Sequence, residues 1–174
     1  ALLIQAPTHP GPHALIHGTT VATNALLERT GARVALVTNA GCEDVIEIGR
    51  QNRPQLYALT GTRPAPLVDR ELRIGIRGRL DNEGGEIAPL DPPELQTLRE
   101  RLAGADAVAI CLLHSYANSA HEAEVERVLR EHFPYVTRSS ALLPAFREYE
   151  RASTTCVNAY VLPQMHEYLT RLEH

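Results

Sequence analysis

The amino-acid sequence predicts an α/β fold with a mainly parallel sheet, flanking helices and an inserted antiparallel hairpin. Residues 33–38 (RVALVT) and 107–113 (AVAICLL) are short apolar runs, as expected of strands buried on both faces of a sheet. Both runs lie next to segments with helical spacing, and this alternation is typical of parallel sheets. Residues 71–80 (ELRIGIRGRL) instead alternate apolar and charged side chains, which predicts a half-exposed strand.

The first half of the chain is predicted to contain two helices around the first strand, followed by an insertion. A helix at residues 21–29 precedes that strand, and a short helix at residues 43–48 follows it. Residues 50–69 hold three prolines and are expected to form a long loop. The turn sequence DNEGG at 81–85 predicts that the alternating strand pairs with residues 86–89 in an antiparallel hairpin, beside the main sheet or at its edge.

The second half of the chain is predicted to alternate helices and strands. Asp91 is a good N-cap and Pro92 suits the first helical position, so a helix is expected to begin here and end near residue 103. Pro163 predicts a break or a kink in the last helix. The remaining predicted elements are an amphipathic helix at 120–132, a strand at 135–139 and a helix at 154–172.

The composition disfavours several classes of function. The chain has 174 residues, 44% hydrophobic and 22% charged, which suits one globular domain. A net charge of −4 disfavours a nucleic-acid partner, and no apolar run approaches the roughly 18 residues that a membrane span needs. All 17 basic residues are arginine, so this chain has no Schiff-base or P-loop lysine. Three scattered cysteines fit a reducing, cytoplasmic compartment rather than a disulfide framework.

A polar turn, His17-Gly18-Thr19-Thr20, lies between an apolar run and the first predicted helix. Free backbone N–H groups at a helix start, with hydroxyl donors and a glycine that allows close approach, can bind an anion or a carbonyl group. The alternative is that Thr19 or Thr20 caps the helix and His17 fills space. His114 follows the second apolar strand, and the two histidines would face one crevice if their strands were neighbours.

Two charged segments contain further candidate binding residues. In the loop after residue 49, two arginines and two amides can clamp a carboxylate or phosphate, and solvated charge is the alternative. The second segment, REYER, precedes the last predicted helix and can position a substrate or form a salt-bridged helix entrance. The candidates are Arg50, Gln51, Arg53, Arg147, Glu148 and Arg151.

Neither metal nor cysteine chemistry is expected. His121 and Glu122 are adjacent, but their spacing matches no standard ligand motif. Cys111 lies inside an apolar strand, where a thiol is unreactive, and no cysteine has a base beside it in the sequence.

Four stretches of sequence, taken in order, resemble one family. They are HGTTVATNALLERTGARVALVT, GxxDVIEIGRQNRPxLY, LLHSYAN and LPxxREYERASTTxxNAYxxP. These stretches are similar to the N-terminal region of the hydantoinase A/5-oxoprolinase family, from about residue 16 to residue 169. The family includes ATP-dependent N-methylhydantoinases, 5-oxoprolinases and the matching subunit of acetone carboxylase.

The resemblance implies a ribonuclease-H-like fold of the actin and sugar-kinase ATPase type, and a reaction that depends on ATP and Mg²⁺. ATP would phosphorylate the carbonyl oxygen of a cyclic amide or imide, of the hydantoin or 5-oxoproline type, so that water can open the ring. Activation of a ketone as its enol, as in acetone carboxylase, is the alternative. A hydantoinase B-type partner subunit or domain is also implied.

The resemblance also implies roles for the candidate residues. His17, Thr19 and Thr20 are expected to be catalytic, close to the reacting carbonyl group and the γ-phosphate. Arg147, Glu148 and Arg151 would complete the wall of the cleft or brace its hinge. The full expected substrate-binding set is Gly18, Asn24, Arg50, Gln51, Arg53, His114, Arg147, Glu148 and Arg151.

The chain is interpreted as residues 1–171 of that N-terminal region, with an insertion at about residues 50–90, and residues 172–174 resemble the start of a histidine tag. It lacks the phosphate-binding hairpin, DxGGTxTD, that opens the family's sequences, so it is expected to bind no ATP and to be inactive alone. A non-catalytic module that docks a partner subunit is the alternative. A free-standing α/β hydrolase is disfavoured because the GxSxG motif is missing.

Overall fold

The computed structural model describes residues 18–52 and 65–173, which form a sheet flanked by helices with a small hairpin beside it. The helices are α1 (Val21–Glu28), α2 (Val45–Ile48), α3 (Pro92–Arg101), α4 (Ala120–Arg130), α5 (Ser139–Leu142) and α6 (Glu148–Glu173). The strands are β1 (Val34–Asn39), β2 (Arg73–Ile76), β3 (Arg79–Leu80), β4 (Glu86–Ala88), β5 (Ala107–Ile110) and β6 (Tyr135–Arg138). A 3₁₀ turn, Arg70–Leu72, leads directly into β2.

Within residues 18–52 and 65–173, the main sheet has four strands in the order β2-β1-β5-β6, and each neighbouring pair is parallel. The α/β fold with a mainly parallel sheet and a separate antiparallel pair is therefore confirmed. Every residue of β1 and β5 is buried, which explains why these strands are continuous apolar runs. The chain passes outward from β1 to β2 and, on the other side, from β5 to β6, so the direction of winding reverses between β1 and β5.

Two groups of helices cover the sheet. Helix α6 packs along β1, β5 and β6, with α1 and α2 beside it. Helices α3 and α4 pack against each other, and α3 also contacts β2 while α4 contacts β5 and β6. The buried residues of α6 include Ala152, Cys156 and Ala159, whose helical spacing and small size allow close approach to the sheet. Helix α4 likewise buries Val125 and Leu129, as its amphipathic pattern predicts.

The prediction of one half-exposed strand across residues 71–80 is wrong. Its first part is β2, an edge strand of the main parallel sheet, and only β3 pairs antiparallel with β4. Gly78 turns the chain between them with φ of +123°, a conformation that glycine adopts without strain. Arg73 in β2 is buried because Asp44 and Glu47 form ion pairs with its guanidinium group. The alternating pattern of residues 71–80 predicts that Arg73 is exposed, because it contains no sign of the distant carboxylates that pair with this arginine.

The last helix is longer than predicted. It begins at Glu148 rather than near residue 154, and it continues through Pro163 without a break. Proline lacks the N–H that would bond the carbonyl group four residues earlier, here that of Ala159. The carbonyl oxygen of the next residue, Tyr160, accepts the backbone N–H of Ala32 at 2.9 Å. This contact joins α6 to the segment before β1 on the turn that precedes the proline.

Three smaller predictions have different outcomes. Asp91 precedes α3 as predicted, but its side chain makes no capping hydrogen bond and instead lies 3.7 Å from Arg77. Within the described residues, no helix has the length and apolar character to cross a membrane. Residues 53–64, most of the predicted long loop, lie outside the described part of the chain.

Candidate functional site

The carboxyl ends of β1 and β5 meet where the winding of the sheet reverses, which is where open α/β sheets bind their ligands. Asn39, the last residue of β1, connects three segments at this edge. Its Oδ1 accepts the N–H of Leu113 at 2.6 Å, and its Nδ2 donates to the carbonyl oxygen of Gly78 at 2.6 Å. This buried amide therefore joins the ends of β1 and β5 to the turn after β2.

His114 lies in the turn that follows β5 and has a left-handed backbone with φ of +59°. That conformation is uncommon for residues other than glycine, and it persists where the surrounding structure enforces it. The imidazole Nδ1 lies 3.3 Å from the Tyr116 hydroxyl group, and the two rings meet edge to face with centroids 5.9 Å apart. The half-buried ring is thus oriented by its neighbour at the predicted binding edge.

A buried hydrogen-bond network supports this turn. Oε1 of Glu122, in α4, accepts the N–H of Leu112 at 2.8 Å and the Ser139 hydroxyl group at 2.6 Å. Arg151, in α6, donates from Nη2 to the Leu112 carbonyl oxygen at 2.7 Å and from Nη1 to the Ser115 hydroxyl oxygen. Both charged side chains are fully buried. Two opposite charges therefore hold the two backbone groups of Leu112.

The buried position of Arg151 bears on its predicted role. Its guanidinium group lies 5.6 Å from the centroid of the Tyr116 ring, and its hydrogen bonds go to the turn after β5. These contacts are those of a brace, which is one of the two roles that the resemblance implies. Direct contact between Arg151 and a substrate stays a prediction.

A cleft of about 840 Å³ opens between the segment after α2 and the first turns of α6. Arg50 donates from Nε and from Nη2 to Oε1 of Glu150, both at 2.8 Å, and its guanidinium group lies 6.0 Å from the centroid of the Tyr149 ring. Gln51 lines the same cleft with φ of +56°. The arginine loop and the REYER segment, which are far apart in the sequence, are therefore in contact.

Hydrogen bonds lower the pKa of Glu150. The pKa of this carboxyl group lies below its ordinary value of 4.5, chiefly because its own backbone N–H donates to the carboxylate. Partial burial opposes this shift, and the hydrogen bond and charge of Arg50 add to it. Glu150 is therefore a carboxylate near neutral pH, and the ion pair with Arg50 is maintained there.

The predicted catalytic threonines are exposed at the start of α1 together with Gly18. Oγ1 of Thr19 accepts the N–H of Val21 at 3.2 Å, so Thr19 makes the helix-start contact that the alternative interpretation assigned to a threonine. Thr20 occupies the N-cap position without a side-chain capping bond. Asn24 is exposed one turn further along, and α1 packs against α6, which carries the REYER segment. Their catalytic and binding roles stay predictions.

Of the four remaining predicted residues, two lie within the described part of the chain and two lie outside it. Arg147 is exposed, with its guanidinium group 5.6 Å from the centroid of the Phe146 ring. Glu148 is half-buried in the first turn of α6. His17 and Arg53 lie outside the described residues, so the predicted convergence of His17 and His114 stays a prediction.

Sequence reasoning missed the residues that hold this edge together. Asn39 and Ser139 were not candidates, Ser115 was noted only as a neighbour of His114 in the polar stretch after the second strand, and Glu122 was considered only as a metal ligand. A signal for Glu122 does exist, because it lies three residues before Val125 and therefore on the buried face of α4. A carboxylate on the apolar face of a helix needs a partner, which predicts a polar network in the core.

The described side chains form no cluster of metal ligands, and two of the three cysteines are buried. In the ranges 18–52 and 65–173, no three His, Cys, Asp or Glu side chains form a group that could hold a metal ion. Nε2 of His121 instead lies 2.9 Å from Oε2 of Glu86. Burial raises the pKa of the Cys111 thiol to about 12 and also raises the pKa of Cys156, so both are poor nucleophiles.

Comparison with known proteins identifies the family. The model for the hydantoinase/oxoprolinase N-terminal region matches residues 5–133. The chain belongs to this family. Among the relatives of this hydantoinase/oxoprolinase N-terminal region is caprolactamase subunit alpha from Pseudomonas jessenii, which is 38% identical over 91% of this chain and 24% of that protein. The resemblance recognised in the sequence is therefore confirmed.

Two further relatives carry different names. 5-Oxoprolinase 1 from Arabidopsis thaliana is 39% identical over 88% of this chain and 14% of that protein. The acetophenone carboxylase gamma subunit from Aromatoleum aromaticum is 35% identical over 86% of this chain and 23% of that protein. The hydantoinase/oxoprolinase N-terminal region described here thus spans between 14% and 24% of the length of these three relatives.

Solved structures agree with this assignment. The crystal structure of ATP-dependent caprolactamase from Pseudomonas jessenii superposes with a TM-score of 0.81 at 36% identity, over 90% of this chain and 23% of that one. A nucleotide-free structure of acetone carboxylase superposes with a TM-score of 0.76 at 27% identity, over 82% and 22% of the two chains. The hydantoinase/oxoprolinase N-terminal region therefore has the same fold as the matching parts of a caprolactamase and of an acetone carboxylase.

Proposed function

We propose that the full-length protein uses ATP to phosphorylate a cyclic amide or imide, of the hydantoin or 5-oxoproline type, and so activates it for ring-opening hydrolysis. The observation that carries this proposal is the polar edge at the ends of β1 and β5, where Asn39 joins the strand ends and His114 adopts its left-handed turn. Relatives named 5-oxoprolinase and caprolactamase support it, because 5-oxoproline and caprolactam are both cyclic amides.

The chemistry explains why ATP is needed. An amide carbon is a poor electrophile because the nitrogen lone pair is delocalised onto the carbonyl oxygen. Transfer of the γ-phosphoryl group to that oxygen makes the carbon electrophilic and gives it a good leaving group. Water then adds to this carbon, cleavage of the ring C–N bond releases the amine and leaves an acyl phosphate, and a second water hydrolyses the acyl phosphate to the open-chain acid and phosphate. Donors that stabilise the negative charge of the transferring phosphoryl group lower the barrier.

The exposed groups at the start of α1 have the chemistry that this transfer requires. Thr19 and Thr20 would orient the carbonyl oxygen or the phosphoryl group, and Gly18 would allow close approach. His17, which lies outside the described residues, would hydrogen-bond near the reacting carbonyl group. Asn24 is one helical turn further on and would contact the substrate beside Thr20.

The cleft next to α6 would bind the remainder of the substrate. Arg50 and Gln51 would hold its polar end, together with Arg53 from outside the described residues. His114 would donate from the turn after β5, whereas Arg147 and Glu148 would border the cleft. Arg151 is assigned to this set through its contacts with the turn rather than with the substrate itself.

ATP and Mg²⁺ would be held mainly by parts of the full-length protein beyond the described residues. Among the side chains of residues 18–52 and 65–173, no three His, Cys, Asp or Glu residues form a group that could hold a metal ion. We infer that the region is one part of an actin-type nucleotide cleft. The isolated chain should therefore be inactive and should not bind Mg-ATP.

Activation of a ketone is the second candidate function. It is favoured by the relative named acetophenone carboxylase gamma subunit and by the structural match to acetone carboxylase, with a TM-score of 0.76. In that reaction the phosphoryl group would be transferred to an enol oxygen, and the substrate carbon would then be carboxylated rather than hydrolysed.

The protein is proposed to act in the cytoplasm with a hydantoinase B-type subunit or domain. Two relatives are named as subunits, which supports a partner for the reaction. All three cysteines are free thiols, which fits a reducing compartment. A non-catalytic assembly module is the alternative, and it would bind its partner equally well when Thr19 and Thr20 are both replaced by alanine.

A coupled ATPase assay on the full-length protein with its partner tests the proposal. The panel contains hydantoin, 5-oxoproline, caprolactam, acetone and acetophenone, the ketones with bicarbonate. The expected result is ATP hydrolysis that depends on a cyclic amide, with ring-opened product in proportion to the phosphate released. Carboxylated product from a ketone would establish the second candidate. ATP hydrolysis that no compound stimulates would reject both functions, and calorimetry on the 174-residue chain checks that Mg-ATP does not bind.

A further inference from the structure

The turn after β5 is held at almost every residue. Both backbone groups of Leu112 are bound, the N–H of Leu113 donates to Asn39, and the hydroxyl oxygen of Ser115 accepts a hydrogen bond from Arg151. The carbonyl oxygen of His114 accepts the N–H groups of two following residues, at 2.9 and 3.2 Å. The left-handed conformation of His114 is therefore imposed by its surroundings rather than by its own preference.

The hydrogen bonds between Arg151, the two serines and Glu122 allow one consistent assignment of donors and acceptors. The hydroxyl proton of Ser139 is donated to Glu122, so in the 3.2 Å contact between Ser115 and Ser139 it is Ser115 that donates. Both serine oxygens can then accept from Nη1 of Arg151. The backbone N–H of Ser140 donates to Oε2 of Glu122 at 2.7 Å. A continuous path of hydrogen bonds thus connects the cation to the anion.

This arrangement is a costly way to obtain stability alone. Buried ion pairs often contribute no more to folding than apolar side chains of similar volume. Nε of Arg151 is also buried and has no hydrogen-bond partner among the described residues. A buried network with an unsatisfied donor next to a candidate site indicates a role in holding that site.

We propose that Glu122 and Arg151, linked through Ser115 and Ser139, are positioning residues that fix the turn after β5 and thereby aim the imidazole of His114 at the substrate. This inference rests on the proposed function of the same edge. Neither charged group touches the substrate, because both are fully buried. They act through Leu112, which lies two residues before His114, and Arg151 acts also through the Tyr116 ring that contacts the imidazole.

Kinetics of the full-length protein with its partner test this role. Ser115→Ala removes one hydroxyl group from the path, and Glu122→Gln removes the charge while the side chain keeps its shape. Each is expected to lower kcat for the activating substrate by about 10- to 100-fold, since a displacement of about 1 Å can cost about 100-fold. The KM for ATP should not change. Ser119→Ala and Glu124→Gln are matched controls, because both residues are exposed, and both should leave kcat unaltered.

A second measurement does not depend on activity. Amide hydrogen exchange of the full-length protein, followed by mass spectrometry of peptides that contain residues 112–118, should be faster in both network variants than in the wild type and the two controls. A merely structural role would reduce the amount of folded protein but leave kcat per folded molecule unchanged.

The possible outcomes separate this inference from the proposed function. Folded variants with an unchanged kcat, or with unchanged exchange in this turn, would overturn the positioning role. If the wild type turns over none of the panel compounds, the proposed function fails by itself, and the exchange result alone decides whether the network holds the turn. Faster exchange confined to residues 112–118, with lower kcat in an active enzyme, supports both.

Discussion

Glu122 and Arg151 hold the two sides of one residue, Leu112. The carboxylate accepts the N–H of Leu112 at 2.8 Å, and the guanidinium group donates to its carbonyl oxygen at 2.7 Å. The two side chains come from α4 and α6, which belong to different groups of helices around the sheet. The turn at the candidate site is therefore fixed by both groups of helices, and a change in the packing of either one would alter it.

Loss of the Arg151 charge should destabilise the 174-residue chain strongly. Arg151→Met leaves Glu122 buried without its compensating cation, which is expected to lower the free energy of unfolding by about 3–5 kcal/mol. Urea unfolding at pH 7, followed by circular dichroism, measures this change.

The control for Arg151→Met is Arg130→Met, which removes an exposed arginine paired with Glu126 one helical turn away. Its effect should stay within about 0.5 kcal/mol. If the two variants lost similar amounts of stability, the buried network would not have the energetic importance that its geometry indicates.

Thr19 should matter for turnover more than for stability. In the full-length enzyme, Thr19→Ala is expected to reduce kcat by about 100-fold, the typical effect of losing one donor to the transition state. Loss of its contact with the Val21 N–H should cost the helix only about 1 kcal/mol. Steady-state kinetics with a circular-dichroism check of folding measure both effects. Thr23→Ala, on the exposed side of the same helix, is the control, and equal kcat values for the two variants would remove Thr19 from the site.

The lowered pKa of Glu150, produced chiefly by its own backbone N–H and further by Arg50, should be visible in the pH dependence of stability. Because the pKa of Glu150 is lower in the folded chain than its ordinary value of 4.5, the carboxylate form favours folding. This contribution is fully present above the unfolded value and is lost as the pH falls through the lower folded value. Unfolding curves between neutral pH and pH 3 should therefore show a smaller loss of stability in Glu150→Gln than in the wild type.

The matched control for Glu150→Gln is Glu131→Gln, which removes an exposed carboxylate directly after α4, near Arg127. It should follow the wild-type pH profile. Added salt should also weaken the Arg50–Glu150 contribution, because Arg50 is exposed. Parallel pH profiles for Glu150→Gln and the wild type would contradict the interpretation.

The three cysteines should differ sharply in reactivity. Burial raises the pKa of Cys111 to about 12 and also that of Cys156, so neither forms a thiolate near pH 8 in the folded chain. Cys42 is half-buried in the turn after β1, and although burial raises its pKa too, it remains the accessible thiol. Ellman's reagent should therefore label one of the three cysteines before unfolding and the other two only in denaturant. Cys42→Ser should abolish the native reaction, and rapid labelling of that variant would refute the assignment.

Local sequence patterns correctly predicted the strands whose burial is the same along their whole length. Strands β1 and β5 are buried at every residue, so their apolar runs identified them directly. The 71–80 segment failed as a single strand because its two parts have different environments, with β2 in the main sheet and β3 in the hairpin. Likewise, α6 continues through Pro163 to Glu173, so the proline marks neither an end nor a break of this helix.

For the candidate site, the sequence by itself determined the family, the α/β alternation and the types of polar side chain that follow the strands. Only the tertiary structure decided the partners, such as Arg50 with Glu150, which are 100 residues apart in the chain, and Glu122 with Leu112. The physical reason is that periodicity and turn chemistry are local properties of the chain. Which buried charge meets which backbone group depends on how the helices pack on the sheet, and no local pattern contains that information.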